Sequence, residues 1–61
     1  MLKVGDLVGI YDNKTKYIIG VVTYVFKKWG GDLVEVYWHD GKRGDIETKH
    51  IEVINESRRF D

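Results

Sequence analysis

The residues that could carry out acid–base or metal chemistry are few and lie in the second half of this chain. They are His39, Asp40, Asp45, Glu47 and His50. A zinc site is usually built from three or four ligands on defined elements, and two histidines without any cysteine do not supply such a set. Asp45 and Glu47 would share one face of a strand, but like charges on an exposed strand also deter pairing between sheets. The sequence therefore predicts no metal site, no cofactor and no catalytic centre.

A second group of residues suits binding rather than catalysis, because it combines cationic and aromatic side chains near predicted turns. The candidate binding residues are Tyr11, Lys27, Lys28, Trp29, Tyr37, His39, Lys42 and Arg43. Single-stranded nucleic acid binds such surfaces, since each base that stacks on an aromatic ring contributes about 1–3 kcal/mol. However, 10 Lys and Arg residues balance 10 Asp and Glu residues, so the net charge of zero weakens the attraction to phosphate. The pattern predicts a partner that is either a protein or a nucleic acid.

Trp29 has two interpretations. It follows two lysines in a predicted turn, where an exposed aromatic ring would indicate a contact site. Alternatively, its ring folds back as a lid over one open end of the barrel.

Four segments rich in β-branched and aromatic residues must position these side chains. They are Leu7–Asp12, Lys16–Phe26, Asp32–His39 and Arg43–Glu47. Short connections favour antiparallel pairing, because parallel strands need a crossover of a dozen residues or more. Asp40–Gly41 between two strands predicts a hairpin with a type I′ turn.

The rest of the chain completes a small all-β fold. We expect a single 3-10 turn at Thr48–His50 and a last short strand at Ile51–Ile54. The expected fold is an SH3-like five-stranded antiparallel barrel over residues 1–54, followed by a flexible C-terminal tail over residues 55–61.

Alternation of side chains assigns the faces of the predicted strands. Val8, Ile10, Val34, Val36 and Trp38 are expected in the core, and Gly9, Tyr11, Tyr37 and His39 are expected to face outward. The run Tyr17–Phe26 is apolar on both sides, and Gly20 within it marks either a bend or a close approach of another backbone.

Size and composition limit the class of protein. The chain has 61 residues and no cysteine, so one domain must be held together by packing alone and has no room for an internal substrate cavity. No apolar run approaches the ~18 residues of a membrane span, and the first residues lack the apolar core of a secretory signal. We expect a soluble cytoplasmic protein without a membrane partner.

Several short motifs carry a resemblance to a known group of domains. They are Gly5–Tyr11, Tyr17–Val22, Val34–Tyr37, Asp40–Gly41 and Ile51. Together they resemble the Tudor/PWWP/KOW group of SH3-like small barrels. The chain also looks like short SH3-like proteins of tailed phages that infect marine bacteria, which would imply the host cytoplasm as its location.

The resemblance implies an aromatic cage of the kind that Tudor domains use for methylated side chains. Tyr11 and Tyr37 match aromatic cage positions, whereas Ile18, Asp40 and Lys42 stand where the family has two aromatic residues and an amide. Lys42 also puts a cation where a cationic ligand would approach. In the alternative interpretation, Tyr11 and Tyr37 form a cross-strand pair that supports the sheet.

Two functions follow from these observations. In the first, the chain is a non-catalytic Tudor/KOW-like adaptor that binds nucleic acid, or a protein of the nucleic-acid machinery, through an outward aromatic and basic face. In the second, it is a small structural or assembly subunit that forms a weak homo-oligomer and has no nucleic-acid ligand.

Overall fold

A computed structural model describes residues 2–12, 16–27, 30 and 32–56 of the chain. These residues form one antiparallel sheet, as predicted. Its strands are β1 (Leu7–Asp12), β2 (Lys16–Val25), β3 (Leu33–Trp38), β4 (Arg43–Glu47) and β5 (Glu52–Asn55). The strands lie side by side in the order β4-β3-β2-β1-β5. No ladder joins β4 to β5 in the described residues, so the sheet is open and its closure into a barrel stays a prediction.

The connection between the two edge strands contains the predicted 3-10 turn. It spans Thr48–His50 and is closed by a hydrogen bond that the Ile51 N–H donates to the Thr48 carbonyl over 3.2 Å. The last strand begins at Glu52 and ends at Asn55, one residue later than predicted at each end. The rest of the predicted tail, residues 57–61, lies outside the described residues.

The core is a layer of small β-branched residues on one face of the sheet, the inner face. Val8, Val22, Val34 and Val36 have no exposed surface, and Leu2 covers them with 8% of its own surface exposed. Burying each valine stabilises the fold by about 1.5–3 kcal/mol. The partly buried residues that pack against this layer are Val25, Trp38, Ile46 and Ile51.

The predicted inward and outward faces of β3 are confirmed. Val34 and Val36 point inward, whereas Tyr37 between Val36 and Trp38 is 51% exposed. Trp38 is only half-buried, because one part of its indole packs on the core and another part borders a groove described below.

β2 contains a β-bulge that sequence alternation alone does not reveal. Val22 pairs with Val36 and Tyr24 pairs with Glu35, so Thr23 is the extra residue. The Thr23 hydroxyl donates a hydrogen bond of 2.8 Å to the Glu35 carboxylate. Because the bulge shifts the alternation by one residue, both Val22 and Val25 point toward the core.

Gly20 marks a close approach and not the bend. A β-carbon at this position would lie 2.5 Å from Val36 Cγ1 and 2.8 Å from Trp38 Cε3. Only glycine therefore lets β3 pack this tightly against the middle of β2.

A turn at the N-terminus of the described chain buries one carboxylate. Asp6 has no exposed surface, and it accepts a hydrogen bond of 2.9 Å from the Lys3 N–H, whose ammonium lies 3.4 Å from the other carboxylate oxygen. The Val22 N–H donates to the Asp6 carbonyl over 3.0 Å. These contacts tie the turn to the centre of β2.

Candidate functional site

An open groove of about 250 Å³ lies at the end of the sheet where β1 ends and β3 turns into β4. The groove is lined by Ile10, Tyr11, Ile18, Trp38, Asp40, Lys42 and Ile46. The volume is below the roughly 300–1,000 Å³ of pockets that enclose drug-sized ligands. The groove therefore suits one or two side chains of a larger partner better than a free metabolite.

The β3–β4 hairpin builds one side of the groove. Gly41 donates to the Trp38 carbonyl over 2.9 Å, and the Trp38 N–H donates to the Lys42 carbonyl over 2.8 Å. Three residues therefore form the loop, and Gly41 has a φ of 91°. The hairpin is as predicted, but the two-residue type I′ turn is wrong: the structure has a longer loop with glycine in the left-handed region.

Asp40 and Lys42 form the polar part of the rim. The Asp40 carboxylate accepts a hydrogen bond of 3.0 Å from the Lys42 N–H, as aspartate commonly does with the backbone two residues on. Both side chains are exposed. Among the described lining residues, Asp40 and Lys42 are the charged ones, and their charges cancel.

Two aromatic residues, Tyr11 and Trp38, line the groove. Tyr11 is 62% exposed, and its ring centroid lies 4.8 Å from that of Tyr17, its partner on β2. Ile18 also lines the groove and is in register with Ile10.

Tyr17 has a shifted ionisation. Burial raises the pKa of its hydroxyl above the ordinary value, and the charges of Glu52 and of ionised Tyr11 raise this pKa further. This hydroxyl lies over Gly9 of β1, and Tyr17 is not among the described residues that line the groove.

The structure separates the two tyrosines that the Tudor resemblance placed in one cage. Tyr37 lies on the outer face of β3, opposite to the inward-facing Val36 and Trp38. It pairs with Val21 on β2 and with Arg43 on β4. β2 lies between β1 and β3, so Tyr11 and Tyr37 are not a cross-strand pair, and Tyr11 pairs with Tyr17 instead. Of the five carried-over positions, the groove brings together Tyr11, Ile18, Asp40 and Lys42.

The other predicted binding residues are dispersed. His39 is exposed at the start of the hairpin loop, and its N–H donates to the Ile19 carbonyl over 2.8 Å. Arg43 is exposed beside Tyr37, and Lys27 is exposed at the end of the β2 segment. Lys28 and Trp29 lie outside the described residues, so both interpretations of Trp29 stay predictions.

Other charged residues pair among themselves. The Glu47 carboxylate lies 3.6 Å from His50 Nε2 and 4.0 Å from the Lys49 ammonium. Across residues 2–12, 16–27, 30 and 32–56, no three His, Asp or Glu side chains are grouped so that they could hold a metal ion.

A second cleft, of about 410 Å³, opens beside the N-terminal turn and the 3-10 turn. Its lining consists of Leu2, Asp6, Gly30, Asp32, Thr48, Ile51, Val53 and Glu56. The described part of this lining contains three carboxylates, no aromatic ring and none of the predicted binding residues.

Sequence reasoning missed two parts of the groove. Trp38 was expected wholly in the core, although a large ring on the last residue of a strand is well placed to border an open end. Ile46 was not assigned to either face, but its register with Val34 turns it inward. This register follows from the length of the hairpin loop, so a correct turn type would have revealed it.

No protein-family model, curated protein or solved structure matches this chain. Within the described residues, no helix is long and apolar enough to cross a membrane.

Proposed function

We propose that the chain is a cytoplasmic, non-catalytic interaction module of the Tudor/KOW-like kind, and that its groove binds a segment of a protein partner. The observation that carries this proposal is the composition of the groove. Its described lining combines three isoleucines, the rings of Tyr11 and Trp38, and one acidic and one basic residue. An apolar side chain packed against these isoleucines and rings would bury part of its surface, which is the main source of affinity in such sites.

The distribution of charge favours a protein over single-stranded nucleic acid. A nucleic-acid groove needs several cations that follow the phosphate backbone. Among the described residues that line the groove, only Lys42 is basic, and the acidic Asp40 lies two residues before it. Elsewhere in the described chain, Lys3 and Lys49 both lie within 4.0 Å of carboxylates.

The proposal differs from methyl-lysine recognition. A methylated cation is held by several aromatic faces that surround it. Here Tyr37 is on the other face of β3, and Lys42 would repel a cation at the entrance. An uncharged aliphatic or aromatic side chain fits the groove better.

Fluorescence of Trp38 provides a direct test. The chain has two tryptophans, so Trp29→Phe leaves Trp38 as the single reporter. This variant would be titrated with peptides selected from a displayed random library and, separately, with a dT12 oligonucleotide. We expect the selected peptides to share an apolar residue, to change the Trp38 emission and to bind at least about tenfold more weakly to Tyr11→Ala.

Tyr24→Ala is the matched control, because Tyr24 is also exposed, at 55%, but lies outside the groove. Its peptide affinity should equal that of the parent. If the selection yields no peptide with a shared residue, or if Tyr11→Ala binds as tightly as the parent, the proposal is wrong. A change in Trp38 emission with dT12 alone, with an affinity that falls steeply as salt rises, would instead identify a nucleic-acid module.

A further inference from the structure

The face of the sheet opposite to the core, which we call the outer face, exposes a second surface that does not belong to the groove. On its central strands lie Val21, Tyr24, Glu35, Tyr37, Arg43 and Asp45, which we name the outer patch. The three apolar or aromatic members, Val21, Tyr24 and Tyr37, are 40%, 55% and 51% exposed. A second molecule that covers them would remove this apolar surface from water.

Strand register arranges the outer patch in two adjacent rows across the sheet. Arg43, Tyr37 and Val21 are in register with one another and form a row that ends in a cation. The next row on the same face consists of Asp45, Glu35 and Tyr24, and it ends in a carboxylate. The basic row and the acidic row run side by side.

The acidic row has unfavourable charge in the isolated chain. Glu35 and Asp45 are direct cross-strand partners, and like charges in that relationship are destabilising. Among the described residues, no Lys, Arg or His nitrogen lies within 4.0 Å of either carboxylate. A cation supplied from outside the chain would relieve this repulsion.

We infer that the occupant of the outer patch is a second copy of this chain. The two-fold axis lies in the plane between the two stacked sheets. It runs perpendicular to the strands, midway between the two rows, and so places the basic row of each copy on the acidic row of the other. Arg43 then meets Asp45 of the second copy, and Val21 meets its Tyr24. The same contacts are made twice, as in any two-fold interface between identical chains.

The total charge is compatible with this dimer, whose interface extends beyond the six residues of the outer patch. A stable interface buries about 800 Å² on each partner, roughly a sixth of the accessible surface of 4813 Å², so neighbouring residues of the same face take part. The formal net charge of zero means that two copies do not repel each other at long range. Two outer faces that pack on each other also form a sheet-on-sheet layer, an arrangement that is common in β proteins.

Charge reversal at the two ends of the rows tests the inference by sedimentation equilibrium over a series of concentrations. Arg43→Asp makes the ends of both rows acidic, and Asp45→Arg makes the ends of both rows basic. Each variant alone should dimerise at least about tenfold more weakly than the parent. An equimolar mixture of the two variants should form a heterodimer about as strongly as the parent forms its homodimer, because opposite charges meet again.

The double variant Arg43→Asp/Asp45→Arg restores complementarity within one chain and should recover the homodimer. All substituted side chains are exposed, so thermal unfolding of the variants serves as the control for folding. A parent chain that stays monomeric at millimolar concentration would overturn the inference. So would a dimer that neither single reversal weakens, because it would use another surface. Peptide binding in the groove is measured separately, so either proposal can fail without the other.

Discussion

The phenol ring of Tyr17 lies across Gly9, its diagonal neighbour on β1, so closely that a methyl group on Gly9 would overlap the ring. Gly9 was predicted to face outward. The strand register does place Gly9 on the outer face, but the Tyr17 ring covers Gly9 and leaves it buried. An aromatic ring packed over a strand glycine supplies the cross-strand contact that the glycine itself lacks.

Gly9→Ala is expected to destabilise the domain by displacing the Tyr17 ring. The cost of such overpacking is about 1–3 kcal/mol in the free energy of unfolding, measured by urea denaturation. In a Tyr17→Ala background the same change should cost much less, since the obstructing ring is gone. A double-mutant cycle with no coupling between the two positions would contradict this contact.

Gly41→Ala is expected to destabilise the β3–β4 hairpin by about 1–2 kcal/mol, because φ at this position is 91° and a side chain is strained there. Gly44 is the matched control. A β-carbon would meet no atom within 4 Å at either glycine, so the two changes differ in backbone conformation and not in packing. Gly44→Ala should leave the midpoint of urea denaturation unchanged or raise it slightly, and equal losses at both positions would argue against the hairpin geometry.

The pair Trp38→Ala and Tyr37→Ala tests the parity of β3. Trp38 packs on the core, and its truncation should cost about 3 kcal/mol, the low end for a large aromatic residue because the ring is half-buried. Tyr37→Ala should cost under about 1 kcal/mol, since it removes only an exposed cross-strand contact. Both values are read from urea denaturation at a low protein concentration, where the chain is monomeric. The reverse order of costs would show that the two faces are exchanged.

Alkaline titration is expected to reveal the shifted pKa of Tyr17. Because burial raises the pKa in the folded state, the folded chain holds this proton more tightly than the unfolded chain does. The resulting stabilisation is fully present below about pH 10, the ordinary tyrosine pKa, and is lost as pH rises through the raised pKa.

Absorbance at 295 nm follows the ionisation. Tyr17→Phe should remove one late-titrating component, and Glu52→Gln should move that component to lower pH, because the negative charge of Glu52 contributes to the shift. A titration curve that is the same with and without Glu52 would contradict this cause.

The strands and their faces could be predicted from the sequence because alternation is a local signal. Val34 and Val36 point inward because any other parity would expose both of them. Details that depend on two strands at once were not predictable in this way. The bulge at Thr23 depends on how Glu35 pairs with Tyr24, and the burial of Asp6 depends on its contacts with Lys3 and β2.

The candidate site was predictable to a similar degree. Tyr11 and Lys42 were identified from residue type and position near turns, and the structure places both at the groove. Tyr37 was assigned to the same surface because parity alone does not tell which strand lies between two others. Two features separate Tyr37 from the groove: β2 lies between β1 and β3, and Tyr37 lies on the face of β3 opposite to Trp38.

The bulge at Thr23 also constrains changes of chain length. Removal of this single residue would restore plain alternation in β2 and would keep both Val22 and Val25 on the core side, because Tyr24 would then follow Val22 directly. An odd-numbered insertion or deletion elsewhere in this strand instead exchanges interior and exterior for the part of the strand beyond it. Engineered tags or added residues belong in the connections between strands, where no such exchange occurs.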